Sequence, residues 1–330
     1  MEQVVFTHGG EVLIAHLAAY GLAVVLESAM IDAHVGHDPD SLRFEPFVHF
    51  DATQADAARA VRDAAGALER LIESDVERVS EKNARRSVIW GRSSFDHGSE
   101  RGALVLAKRS ALVAEADAGR QRLASGLLAA LGAPALWGPK TVKSGSGATA
   151  LDGVLGNHTS DFVRGVLRPC RADAADVDEA RFLAEVGKVT SEQRDRTNWA
   201  PSGTRVGLID QWLAALGLSM LPVAHRQVRR SATPACWSGG RPVRHRTTLP
   251  LLDQPVSPAR LRALLSLGSL ASVCRSEDGQ PDVDHAGALR AFGVTEVVTF
   301  DRRYNPGSSS SVAFTYVRGR RRALGASAVG

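Results

Sequence analysis

Residues 16–27 read HLAAYGLAVVLE, a helical stretch that is apolar on nearly every side. A helix without a polar face is stable only when other parts of the chain surround it, so this segment is expected to be mostly buried. A second stretch of the same kind, GLIDQWLAALGLSMLP, spans 207–222. Between them the pattern changes. From Ala52 to Ser80 the apolar positions are Val61, Ala65, Leu68, Ile72, Val76 and Val79, in steps of three and four. Arg62, Glu69, Arg70, Glu73 and Glu77 fall on the other side. That spacing predicts an amphipathic surface helix, with Asp51 as its cap.

The remaining punctuation predicts shorter elements. Residues 3–7 read as a strand, 32–51 as a loop followed by a strand near Val48, and 103–107 as a strand. A helix then runs to about Leu131 and stops at Gly132 and Pro134. WGPKTVKSGSGATALDG at 137–153 reads as a mobile, cationic loop carrying Lys140 and Lys143, and as a boundary between two domains. Residues 174–188 read as a short acidic helix, and 191–205 as a polar loop with Trp199. The stretch 248–267 begins strand-like and turns helical from about Ser257. TEVVTFD at 295–301 and SVAFTYV at 311–317 alternate as the arms of a β-hairpin, with RRYNPGSSS between them. The expected fold is α+β, a mainly helical body with β-hairpins. Its two subdomains would be an N-terminal α+β unit over 1–150 and a C-terminal unit with basic hairpins over 151–330. The chain has 330 residues, 44% of them hydrophobic, enough for a proper core.

Charge is distributed unevenly. Between Asp210 and Asp253 there is no acidic residue. The same window holds Arg226, Arg229, Arg230, Arg241, Arg244 and Arg246, together with His225 and His245. Such a block repels itself unless something negative lies against it, and nucleic-acid phosphate is the commonest such partner. The competing reading is a solvated basic loop. Ser-Gly-Gly at 238–240 suits a hairpin turn, with Trp237 just before it. If the flanking arms pair, several arginines share a face and Trp237 becomes a stacking platform or wedge beside them. The end of the chain is similar. Arg302, Arg303 and Asn305 lie in the link between the last two strands, and Arg318, Arg320, Arg321 and Arg322 follow. No acidic residue comes after Asp301. Of 40 cationic residues only five are lysine, and arginine suits phosphate and base edges.

Other chemistry has weaker support. His34, His37, Asp38, Asp40, His49 and Asp51 lie close in sequence, and a metal-dependent nuclease would use such groups. Their spacing matches no established ligand motif. There is no G-x-S-x-G and no P-loop, and His8 before two glycines reads as a loop signal. No cofactor is expected. Three distant cysteines, Cys170, Cys236 and Cys274, point to a reducing compartment. The first residues lack a basic leader, and the longest apolar run, 12–26, falls short of the roughly 20 residues of a membrane span. A cytoplasmic protein with no membrane partner is the expectation.

HLAAYGLAVVLE, GLIDQWLAALGLSMLPVAHR at 207–226 and FDRRYNPGSSS from Phe300 together resemble the large subunits of type I CRISPR surveillance complexes (Cascade). The compact kind found in subtype I-U, also called I-G, is the most similar in size and texture. The resemblance implies a non-catalytic subunit placed at the 5′ handle of the guide RNA. It implies contact with the duplex motif beside the target DNA, other effector subunits as partners, and recruitment of a helicase–nuclease in trans. No base-reading residue carries over from a family motif. A protein scaffold whose basic face meets an acidic partner is a further reading.

Overall fold

The structure is a computed structural model. It describes residues 1–38, 41–73, 100–119, 121–130, 163–190, 195, 197, 199–221, 235–239, 244–252, 254–275, 283–304 and 314–325. In chain order, β1 (Glu2–Val5) leads to α1 (Leu13–Ser28), and β2 (Ala33–His37) and β3 (Pro46–Phe50) follow. Next come α2 (Gln54–Ala67), α3 (Glu69–Glu73), α4 (Glu100–Ala118) and α5 (Arg122–Ala130). A π-helical turn at Val163–Leu167 opens into α6 (Arg168–Ala175), and α7 is Glu179–Glu185. Helix α8 (Leu208–Gly217) ends in a 3₁₀ turn, and β4 (Cys236–Gly239) and β5 (Arg244–Leu252) form a hairpin. Helices α9 (Pro258–Leu265), α10 (Gly268–Arg275) and α11 (Val283–Ala291) precede β6 (Val294–Tyr304), β7 (Phe314–Tyr316) and β8 (Arg320–Ala323). The fold is α+β, with two antiparallel sheets.

Helix α1 is buried from Leu13 to Leu26, as its all-round apolar surface requires. Its principal partner is α8, also buried along nearly its whole length. Where they cross, Gly21 faces the Leu213 carbonyl and Gly217 faces the Leu17 carbonyl, so closely that a Cβ at either position would overlap that oxygen. The contact lets two backbones meet with no side chain between them. A single hydrophobic core extends over this pair, drawing residues from Val4 to Leu324. The expected boundary at 150/151 lies outside the described residues, and helices from either side of it meet in that core.

A buried polar staple locks the first loop to α8. His8 Nε2 and the Asp210 carboxylate lie 2.7 Å apart, both almost fully buried. The same carboxylate accepts from the Gly187 amide at 3.0 and 3.1 Å, and the Gly187 carbonyl accepts from Thr7 Oγ1 at 2.9 Å. Reading His8 as a loop signal missed this partner. The available signal was Asp210, a lone acid within an apolar helix, which has to be paired when buried.

The first sheet has the order β1-β3-β2, with Val4 and Val35 flanking Val48. Residues 33–37, expected in a loop, form a strand instead: a Gly and two His weaken the local alternation, and pairing with β3 supplies what the segment lacks. The outer strand also bridges to Val256, amide to carbonyl at 2.8 Å in both directions. The region 103–107, expected as a strand, lies within α4. Its Ala/Leu/Val alternation is compatible with either period, and helix-forming neighbours decide.

Helix α2 matches its predicted face, with Val61, Ala65, Leu68 and Ile72 buried, although the helix breaks at Leu68. Val76 and Val79 lie outside the described residues. Its cap is Thr53 rather than Asp51. Thr53 Oγ1 accepts from the Asp56 amide at 3.1 Å and the Asp56 side chain accepts from the Thr53 amide at 3.3 Å, a capping box. Thr53→Ala is expected to lower the thermal midpoint by about 2–3 °C, measured by circular dichroism, with Asp51→Ala near neutral.

Candidate nucleic-acid interface

The two hairpins expected from the sequence belong to one sheet, ordered β4-β5-β6-β7, with β8 also paired to β6. Residues opposite one another in antiparallel strands share a face, as do alternate residues along a strand. The register sets Trp237 opposite Arg246, Arg246 opposite Asp301, Thr299 opposite Arg320 and Val297 opposite Arg322. One face therefore brings together positions 237, 244, 246, 301, 303, 320 and 322. The opposite face turns Phe300, Val298 and Leu249 into the core. There the His16 ring stands edge-on to Phe300, with centroids 5.6 Å apart.

The electrostatics of the first face are uneven. Arg246 Nε donates to Asp301 Oδ1 at 2.9 Å, and Arg320 Nη2 donates to Asp301 Oδ2 at 2.7 Å. Both oxygens of this carboxylate are thus engaged. Arg246 is buried, with 8% of its side chain exposed, whereas Arg320 is 71% exposed. Arg322, half-buried, sits beside both. Burial and then the Arg246 charge push its pKa below the usual arginine value, with a smaller push from Arg320. Its Nε and Nη2 atoms are shielded from solvent and have no hydrogen-bond partner. Arg246 and Arg320 therefore share the Asp301 carboxylate, and among the described residues Arg322 stands beside them with no carboxylate of its own. Helix α10 closes one side, where the Cys274 thiol donates to the Ala235 and Arg246 carbonyls at 3.4 and 3.5 Å.

Not every arginine of the last third is left over. Arg318 pairs with Glu11, and Arg321 pairs with Glu296 while lying over the Phe44 ring at 5.7 Å. A cleft of about 430 Å³ beside them is lined by His37, Phe44, Leu252, Arg290, Glu296 and Arg321. Its arginines are engaged, Arg321 with Glu296 and Arg290 with the Leu324 and Gly325 carbonyls. Among the described residues, Arg322 on the other face of the sheet has no acidic partner.

Of the residues expected at the interface, the structure brings Arg246, Arg303 and Arg320 to this face. It sets Trp237 and Arg244 there by strand register. Arg303 is exposed, and Arg302, half-buried, belongs to the opposite face. Lys140, Lys143, Arg226, Arg229, Arg230, Arg241 and Asn305 lie outside the described residues. The expected turn at 238–240 shifts, because Ser238 and Gly239 still belong to β4 and pair with His245 and Arg244. Sequence reasoning named Arg322 only as part of the basic end. The β6–β8 register puts it on the same face as Arg246, whose charge reaches it.

The histidine and aspartate cluster near the N-terminus is split by the pleat. His34 and His49 face each other on the outer side of the first sheet, where burial and the His34 charge lower the His49 pKa. His37, three residues on, points into the core and pairs with His16 Nδ1 at 3.1 Å. Asp38 and Asp51 are exposed, and Asp40 lies outside the described residues. Among the described residues no three His, Cys, Asp or Glu side chains gather as a metal ion requires. No helix among them is long and apolar enough to cross a membrane. No known protein-family model matches the chain, and no curated protein matches it.

Proposed function

We propose that the chain is a non-catalytic nucleic-acid-binding protein that lays the arginine-bearing face of its five-stranded sheet against a phosphate backbone. The observation that carries this reading is the ratio among the described residues of that face, three guanidinium groups at Arg246, Arg320 and Arg322 to the carboxylate of Asp301. Exposed Arg303 extends the same surface, and Trp237 holds a register position on it. With its likeness to Cascade large subunits, the surface fits a type I CRISPR effector subunit. In that setting it contacts the guide-RNA 5′ handle or the duplex beside the target and helps dock a helicase–nuclease. The role is cytoplasmic and needs no cofactor.

The test is a salt titration of the full chain against duplex DNA and single-stranded RNA. Association should weaken steeply with salt, with a slope near −0.9 per phosphate neutralised on duplex DNA. Arg303→Ala and Arg320→Ala should each reduce that slope by about one and weaken binding alike for all sequences. An unchanged slope in the double variant overturns the interface. For the complex, the tagged chain expressed with its neighbouring genes should co-purify with short RNAs sharing a constant 5′ end. Recovery without such RNA counts against the effector assignment.

A further inference from the structure

Arg322 is an unsatisfied charge on the sheet. Two of its guanidinium nitrogens are shielded from solvent without an acceptor, while Asp301 has given both its oxygens to Arg246 and Arg320. A protein gains nothing in stability from such an arrangement, because like charges held in a partly dry site repel one another. Arg320 and Arg322 alternate on β8, so both project to the same face, roughly 6.6 Å apart along the strand. Arg246 lies on the same face across β6, opposite Asp301. Among the described residues of this cluster, three arginines to the one carboxylate of Asp301 leave an excess of two positive charges, and a phosphate monoester carries about −1.5 to −2 at neutral pH. Arginine forks match phosphate oxygens in both charge and planar geometry.

We infer that Arg246, Arg320 and Arg322 form a discrete binding site for one phosphate group, whose oxygens supply the acceptors that Asp301 cannot. The inference rests on the nucleic-acid reading only for where that phosphate comes from, a strand or a free phosphate compound. Within the site Arg246 is held in place by Asp301, Arg320 reaches from the solvent side, and Arg322 contributes the unpaired charge. The site is built for affinity at the expense of stability, and this gives it a signature that a structural arginine lacks.

The experiment follows the thermal midpoint of the full chain in inorganic phosphate and in sodium chloride at equal ionic strength. Phosphate should raise the midpoint above the chloride value in a saturable way. Arg322→Gln, which removes the charge but keeps donors, should be as stable as the parent or more stable in chloride. It should bind phosphate at least 10-fold more weakly. Arg59→Gln, at an exposed arginine of α2 that pairs with Asp56, should leave the phosphate response intact. If Arg322→Gln does not fold, Arg320→Gln should give the same loss of response. Equal midpoints in phosphate and chloride overturn the site. So does an Arg322→Gln protein that is less stable in chloride yet still responds to phosphate.

Two oligonucleotide arms separate this site from the wider reading. A 5′-phosphorylated strand that binds at least 10-fold more tightly than its 5′-hydroxyl counterpart supports the site and names a strand terminus as the source. Salt-steep binding of both strands with no response to inorganic phosphate overturns the site and leaves the interface standing. A phosphate response with no strand binding supports the site and overturns the nucleic-acid interface.

Discussion

Gly217→Ala is expected to destabilise the protein by roughly 3 kcal/mol or more, a large part of the 5–15 kcal/mol that holds a typical domain together. The added methyl group would overlap the Leu17 carbonyl oxygen, and the matching change at Gly21 would overlap the Leu213 carbonyl. Neither obstacle is a side-chain tip that can swing away. Each is the backbone of a helix buried on all sides, so relief requires moving α1 away from α8 and opening the core between them. Urea unfolding followed by circular dichroism measures the loss. Gly66 is the control, an exposed glycine within α2 with nothing near the place where a Cβ would sit. There alanine should stabilise by about 0.5–1 kcal/mol, because only the conformational freedom of the unfolded chain is reduced. A Gly217→Ala protein with an unchanged midpoint would show that the two helices are not held at this contact.

The second large effect is acid sensitivity, and it comes from a pair of buried imidazoles. His16 Nε2 lies 2.7 Å from the Gly10 carbonyl, which can only accept, so that nitrogen carries the proton. Burial lowers the His16 pKa to about 4, which keeps the ring neutral near pH 7 and leaves Nδ1 as an acceptor. His37 Nε2 therefore donates to it at 3.1 Å. Burial, then the His16 and Arg321 charges, lowers the His37 pKa as well. In the unfolded chain both groups titrate near 6.5. Below that value the unfolded state takes up protons that the folded state refuses, so stability falls as the pH falls toward 4. Above 6.5 the penalty is absent. Between pH 7 and pH 5 the loss from His16 alone is about 2 kcal/mol.

Urea midpoints across that range should show the fall. His16→Gln offers an amide donor to Gly10 and an acceptor to His37 without titrating, so it should flatten part of the dependence. A stability that is level from pH 7 to pH 5 in the parent protein would remove the argument.

Much of the fold was visible in the sequence wherever the deciding force acts along the chain. The all-round apolar character of 16–27 and 207–222, the three-and-four spacing of Val61, Ala65, Leu68 and Ile72, and the alternation of 295–301 each report local burial. Local signals failed where two periods fit equally well, as at 103–107, or where pairing supplies what composition lacks, as at 33–37. The basic character of the last third was legible too, as a surplus of arginine without nearby acid. Its disposition was not. Asp301, which engages Arg246, stands 55 residues away in sequence, and Glu11, which engages Arg318, stands 307 away.

By itself, then, the sequence determined which segments are buried, which face of α2 looks inward, and that the chain's positive charge collects toward its end. Only the tertiary structure decided that Gly21 and Gly217 meet, that His37 turns from its neighbours toward His16, and that Arg246 and Arg320 share the Asp301 carboxylate. The physical reason is that burial is a property of each segment's own pattern. A contact between distant groups depends instead on strand register and helix crossing, which the whole chain settles together.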